Sequence, residues 1–306
     1  MTQNDTPQRG SPHISVCIAT YRRPTMLEKC IQALLNQAVG AFSYSIVVVD
    51  NDSSESARNI VSAMRGGSSI EIAYCVERVP NISSSRNRAI RNAEGDLIAF
   101  IDDDEYPEPT WLLNLLAAYL EFSADGVLGP VIPSYEGTPP AWLVNSGLCA
   151  RRRFPTGTIL RNAKDMRSGN VMFGHRVVKN DEAPFDPGFG RTGGEDTDFF
   201  ERKLQAGYRF VWCNEACVYE IVPAERQQLM FFVRRALVLG ATAARREHFL
   251  SIGTIKSIFA VIIYTVSLPL LLLIGYHIFI SVFIRNCNHA AKLLAHLGVK
   301  VVYERG

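Results

Sequence analysis

The chain has 306 residues, of which 47% are hydrophobic, 20% charged and 10% aromatic, a composition that excludes a disordered chain and a small disulfide-stapled module. Its length suits two units, or one large α/β domain with an appendage, and a net charge of only +2 leaves no strong nucleic-acid footprint. The seven cysteines form no CxxC pair, as expected of reduced, buried thiols in a cytosolic domain.

Residues 1–12 are polar and lack the basic-then-apolar order of a secretion signal, so they read as a disordered N-terminus that exports nothing. Five β-branched runs follow, at 14–19, 44–49, 70–76, 97–101 and 127–132, and each reads as a strand. Between them, 24–37, 53–64, 83–93 and 109–122 read as helices, several opened by Pro or Ser. This alternation predicts an α/β fold, a mostly parallel Rossmann-like sheet flanked by helices, with ligands at the carboxyl ends of the strands. Residues 134–166 read as a loop. A glycine-rich stretch at 188–200 enters a helix ending near Gly207, strands follow at 208–213 and 216–222, and 223–249 reads as a basic amphipathic helix.

From 257 to 284 there is no Asp, Glu, Lys or Arg in 28 residues, which predicts a membrane segment. As one helix it would measure about 42 Å against a ~30 Å hydrocarbon core. Pro269 near its middle invites a break, and basic residues lie on both flanks (Arg245, Arg246 and Lys256 before; Arg285, Lys292 and Lys300 after). A re-entrant hairpin turning near Pro269 keeps both flanks on the cytosolic side, whereas a single span exports one of them.

The strand ends carry the chemistry. Strand one runs into Thr20, Tyr21, Arg22 and Arg23, strand two into Asp50, Asn51 and Asp52, and strand four into Asp102, Asp103, Asp104 and Glu105. Carboxylates clustered at a strand end repel one another and are relieved by a hard divalent cation, Mg²⁺ or Mn²⁺, whose open positions suit the oxygens of a diphosphate. A solvated turn capping the helix near Pro109 is the plainer alternative. No GxGxxG or GxxxxGK[ST] follows any strand, which argues against a dinucleotide-binding or P-loop site. In Gly193-Gly194-Glu195-Asp196 the glycines let backbone approach a ligand at a helix start, which makes Asp196 a candidate general base and Glu195 a group that binds acceptor hydroxyls or orients the loop. Simple helix capping is the alternative there, and Asp198 reads as a solvated helix residue. Arg86 and Arg88 offer cations near the same rim. Cys213 and Cys217 lack a second ligand pair for zinc, and no GxSxG supports a nucleophilic hydrolase.

The segments ISVCIATYRRP, IVVVDNDSS, SSSRNRAI, LIAFIDDDEYPEPTWL and GGEDTDFFERKLQAGYRF, in this order and spacing, resemble family 2 inverting glycosyltransferases of the GT-A fold over 13–240. Together with RTGGEDTDFF, VYEIVPAER and the apolar C-terminal segment, they are most similar to bacterial exopolysaccharide glucosyltransferases of the succinoglycan type. The resemblance implies that Thr20, Tyr21 and Arg22 line the base and ribose of a nucleoside-diphosphate sugar, that Asp50 and Asn51 meet the base, and that Arg86 approaches the base or diphosphate. It matches Asp102 and Asp104 to a DxD motif, with Asp104 the metal ligand and Asp103 or Asp102 reaching the ribose, and it makes Asp196 the catalytic base. Relatives often carry two aspartates where Asp50-Asn51 stands, and some supply a late His near the place of Glu220. The implied organisation is a nucleotide-sugar half at 13–132, an acceptor and base half at 133–250 and a membrane-associated tail at 251–306. The expected partners are a nucleotide-sugar donor such as UDP-glucose, a lipid-linked oligosaccharide acceptor and the cytoplasmic face of a bacterial inner membrane. A sugar nucleotidyltransferase and an inactive membrane-tethered sugar-binding scaffold are the competing readings.

Overall fold

The computed structural model describes residues 11–190 and 193–299, with backbone alone at Arg245 and Arg246. Two compact units divide it: residues up to Ile132 together with Arg151–Glu220, and Pro133–Ala150 together with residues from Ile221 onward. The division is not sequential, so 133–250 contributes to both units. The expected disordered stretch lies, but for Ser11 and Pro12, outside the described residues.

Chain order gives β1 (His13–Thr20), α1 (Pro24–Leu35), β2 (Ser43–Asp50), α2 (Arg58–Gly66), β3 (Ile72–Val76), α3 (Ile82–Arg91), β4 (Leu97–Ile101), β5 (Glu105–Pro107), α4 (Trp111–Glu121), β6 (Gly126–Leu128) and β7 (Val131–Tyr135). Then come α5 (Ala141–Ser146), β8 (Ile159–Leu160), β9 (Asn170–Gly174), α6 (Glu195–Gln205), β10 (Phe210–Trp212), β11 (Val218–Val222), α7 (Leu229–Arg246), α8 (Ile252–Ile274) and α9 (Tyr276–His296).

The first unit is built on an eight-stranded sheet ordered β3-β2-β1-β4-β9-β6-β10-β8. Alternation along the strands sends Ile14, Val16, Ile18, Ile46 and Val48 to one face, where Leu27, Ile31 and Leu34 of α1 and Trp111, Leu112 and Leu115 of α4 cover them. Cys17, Val47, Val49, Ile98, Phe100 and Phe173 line the other face, under Ala89 and Ile90 of α3 and Phe199 and Phe200 of α6. The sheet is mostly parallel, as expected, with β9 running antiparallel between β4 and β6 and Ile101 opposite Asn170. β9 was invisible to periodicity because its five residues are buried on both faces and show no alternation.

Local chemistry moves the helix starts. The helix expected from 53 begins at Arg58, because the Asp50 carboxylate accepts the Ala57 N–H and Asp52 accepts the Ser54 N–H, winding 52–57 into a turn. The expected loop at 134–166 contains α5 and β8, and a 3₁₀ turn at Ala224–Gln227 precedes α7.

The second unit gathers α5 with α7, α8 and α9 around Leu143, Phe232, Ala236, Ile280 and Ile284. A Cβ on Gly240 of α7 would lie 2.1 Å from the Asn288 carbonyl of α9, so only glycine permits this helix contact. In the apolar tail α8 and α9 pair side by side, and the turn between them is not at Pro269. α8 continues through Pro269 and ends at Gly275: the missing N–H and the clash with the carbonyl one turn back weaken the helix there without ending it.

Candidate active site

The parallel strands β1, β2 and β4 end on one rim and deliver Thr20, Asp50-Asn51 and Asp102-Asp103-Asp104 there. The entry to β9 brings Ser168 and Gly169 to the same rim, because Asn170 pairs with Ile101. The start of α6 adds Glu195 and Asp196, after Gly193 and Gly194 turn the chain at φ 75° and 99°. Those left-handed angles are what glycine supplies without strain.

Arg86 ties these segments together. Its buried guanidinium donates from Nη1 to Glu195 Oε1 at 2.7 Å and Asp196 Oδ1 at 3.0 Å, and from Nη2 to Asp102 Oδ1 at 3.3 Å. Burial opposes its charge, but Asp196, Asp102 and Glu195 outweigh that and hold its pKa above the ordinary arginine value. Ser168 Oγ donates to Asp196 Oδ1 at 2.6 Å, so both donors to Asp196 converge on one oxygen.

The acidic run divides its work. Asp103 accepts from Thr20 Oγ1 at 2.7 Å and Arg23 Nη1 at 3.2 Å, and burial pushes its carboxyl up to about 6 against the opposing pull of Arg23 and Thr20. Arg23 Nη1 also reaches Asp104 Oδ2 at 3.0 Å. Asp102 is the open member, its side chain 41% exposed. Glu105 is buried, its pKa is raised well above the usual range by that burial, and its Oε1 has no hydrogen-bond partner among the described residues; the same holds for Glu195 Oε2. A Cβ on Gly169 would lie 2.8 Å from both Asp102 Oδ2 and Glu105 Oε1, so the missing side chain is what lets the two carboxylates crowd together.

Asp50 and Asn51 hold backbone. Asp50 accepts from the Asp52 and Ala57 N–H groups and the Tyr74 hydroxyl. Asn51 donates to the Glu77 and Val79 carbonyls and accepts the Asn81 N–H, which leaves its Oδ1 one lone pair. Tyr21 is exposed, with the Arg22 guanidinium 5.0 Å over its ring, and Arg22 pairs with Asp52. Hydrogen bonds from Ser54, helped by Arg22, hold the Asp52 carboxyl down at about 2. Arg88 lies outside the cluster and pairs with Glu77, and Asp198 pairs with Arg202 one helical turn on. β11 sets Glu220 opposite Glu105, and Arg151 closes on Glu220.

Among the described residues no three His, Cys, Asp or Glu side chains converge to form a closed metal cage. The donor set still fits a hard divalent ion: Mg²⁺-type sites commonly use one or two carboxylates and take their remaining oxygens from water and substrate phosphates. Arg23, a cation, already stands between Asp103 and Asp104.

A family model described as glycosyl transferase family 2 matches residues 15–180. The chain belongs to glycosyl transferase family 2. The enzyme is 33% identical over 239 residues to the succinoglycan biosynthesis protein ExoM of Rhizobium meliloti, an alignment covering 76% of this chain and 74% of the relative. It is 26% identical over 244 residues to the glucosyl-dolichyl phosphate glucuronosyltransferase of Haloferax volcanii, covering 74% and 75% of the two chains. Among solved structures it resembles S. aureus TarS 1–349 in complex with UDP-GlcNAc, with TM-score 0.55 at 14% identity over 94% of this chain and 91% of that one; it spans 55% of the longer TarS chain. The mannosyltransferase PcManGT from Pyrobaculum calidifontis, in complex with GDP-Man and Mn²⁺, matches with TM-score 0.54 at 18% identity over 78% of this chain and 65% of that one. The fold of this glycosyltransferase is GT-A, as its motifs implied. Family membership sets the nucleotidyltransferase alternative aside.

The match to the family model ends before α6, so Glu195 and Asp196 join the site through geometry. Sequence reasoning missed Ser168 and Gly169. The only trace of them is a short apolar run, NVMFG, bounded by small residues.

Proposed function

We propose that this glycosyltransferase moves a hexose, with inversion, from a nucleoside-diphosphate sugar such as UDP-glucose to a hydroxyl of a lipid-linked oligosaccharide, in the synthesis of a bacterial exopolysaccharide at the cytoplasmic face of the inner membrane. The observation that carries this reading is the Arg86 guanidinium bridging Asp102 at the end of β4 to Asp196 at the start of α6. A donor-side carboxylate and a candidate base thereby share one rim.

In this reading Asp196 is the general base. Arg86 and Ser168 occupy its Oδ1, which leaves Oδ2 as the oxygen that takes the acceptor proton. Glu195, with Oε2 unpartnered, accepts a hydrogen bond from a sugar hydroxyl. Thr20, Tyr21, Arg22, Asp50 and Asn51 shape the seat of the base and ribose, and Asp103, fixed by Thr20, faces the ribose. Asp104 and Asp102 would hold a Mg²⁺ or Mn²⁺ ion, which when bound offsets charge on the departing diphosphate as a Lewis acid. The names of the relatives support the polymer: the Rhizobium meliloti protein is a succinoglycan biosynthesis protein and the Haloferax volcanii enzyme acts on a glucosyl-dolichyl phosphate. The apolar α8 supports the membrane, being the one described helix long and apolar enough to cross a bilayer.

Incubation with UDP-glucose, Mn²⁺ and membrane lipid extract tests the reading. Radiolabelled sugar in the lipid fraction with release of UDP is the expected result. Binding of the donor without any UDP release would favour the inert scaffold instead.

A further inference from the structure

The apolar tail is two helices, and hydrogen bonds fix the depth of one to the depth of the other. Asn286 donates to the Thr265 hydroxyl at 3.0 Å, His289 pairs with Ser257 at 3.0 Å, and His296 pairs with Thr254 at 3.1 Å, so α9 returns antiparallel alongside α8. Lys292 reaches Glu247 at 2.7 Å. α8 alone, from Ile252 to Ile274, is about 34 Å long and would cross the ~30 Å hydrocarbon core. Its partner would not: α9 is free of charged residues only from Tyr276 to Ile284, after which Arg285, Asn286, Asn288, His289 and Lys292 follow. Carrying Thr254 to one bilayer surface and Ile274 to the other would draw all of these groups into hydrocarbon, where each charged side chain costs about 2.5–3.5 kcal/mol or more.

From the level of Thr265 and Asn286 to the turn at Gly275 is ten residues of α8, about 15 Å, or one leaflet. The exposed residues of α8 agree with entry from one side. Ile255, Phe259, Ile262, Val266, Leu270 and Leu273 recur at helical spacing and form one bare stripe, while Ser257 and Thr254 point to α9. Lys256 and Arg285, both exposed, flank the uncharged stretch with charge that suits anionic headgroups.

We infer that the α8–α9 hairpin enters a single leaflet of an anionic bilayer obliquely, with the α8 stripe against the acyl chains and the Gly275 turn near the midplane, and does not cross. This rests on the membrane reading of the tail given above and adds its depth. The full chain in inverted inner-membrane vesicles tests it, with the substitutions Leu273→Cys at the tip and Leu297→Cys at the base labelled by a membrane-impermeant maleimide and the native cysteines of the unsubstituted chain as background. Leu297→Cys labels from the cytoplasmic face, and Leu273→Cys labels from neither face until detergent is added. Labelling of Leu273→Cys from the periplasmic face would mean a crossing hairpin, and labelling from the cytoplasmic face a hairpin lying in water; either overturns the inference. A second variant, Leu273→Asp, loses flotation with phosphatidylglycerol vesicles while still releasing UDP, and unchanged flotation would likewise overturn it. Failure of the unsubstituted chain to float removes the membrane reading itself along with the inference.

Discussion

Asp102 and Asp196 share one guanidinium, Arg86 lying 3.3 Å from the first and 3.0 Å from the second. A buried cation that holds carboxylates from two elements sets their separation, and its removal leaves them repelling one another at low dielectric. Arg86→Ala is therefore expected to lower stability by about 3–5 kcal/mol and to abolish transfer. Arg86→Lys keeps the charge but loses the planar fork, so it should fold with a reduced Tm and little UDP release. Calorimetric melting alongside a UDP-release assay separates the two effects, and an Arg86→Lys chain with normal turnover would refute the bridging role.

Asp196→Asn preserves shape and the Ser168 contact at Oδ1 but removes the base. UDP release in the presence of acceptor should fall by about 10²–10⁴-fold. The donor dissociation constant, measured by titration calorimetry, should hardly move. Turnover that survives the substitution would transfer the base role elsewhere.

Removal of a divalent ion with EDTA should weaken donor binding and transfer together, and Asp104→Ala should show the same pattern with Mn²⁺ present. Full activity in EDTA would contradict the metal role of Asp104 and Asp102.

Gly169→Ala places a methyl 2.8 Å from two carboxylate oxygens. Overpacking of this kind costs about 1–3 kcal/mol. Because the oxygens displaced belong to Asp102 and Glu105, the loss of transfer should exceed what the fall in Tm accounts for. Parallel thermal melts and kinetics on the variant check this.

Asp181 offers a pH test away from the rim. Burial alone would raise its pKa, but Lys203 at 3.0 Å and Arg202 at 3.2 Å outweigh burial and hold it below the ordinary 3.8. A depressed carboxyl contributes stability above its unfolded pKa and loses it as pH falls through the folded value. Asp181→Asn, which strands the buried Lys203, should cost about 1–3 kcal/mol at pH 7. The gap in Tm between variant and parent should then close as the pH is taken below 3.8. A constant gap across that range would show that the pair carries no charge-dependent stability.

Much of this was legible in the order of residues. β1, β2 and β4 announce themselves by β-branched runs, and polar residues immediately after a buried strand mark the ligand rim without any coordinates. Arg86 was visible as a cation near that rim, but its bridge was not, since contact between α3 and α6 depends on a sheet order no local pattern encodes. β9 escaped because two-sided burial erases the period that betrays a strand. Pro269 misled for another reason: a proline inside a helix removes a hydrogen bond and crowds the carbonyl one turn back, but α8 runs on through it and ends only before Gly275.

The path of the backbone between the two units has a consequence for synthesis. Leu143 and Trp142 sit on α5, and the core around Leu143 is completed by Phe232, Ile280 and Ile284, with Ser281 donating to the Ser146 carbonyl. On the ribosome Phe232 emerges 86 residues and Ile284 138 residues after Ser146 at the end of α5, so α5 must wait, apolar face bare, while the intervening chain is made. Shortening the gene before α9 to gain solubility would leave α5 in that waiting state for good. A soluble version would have to remove 133–150 together with the tail and rejoin the ends.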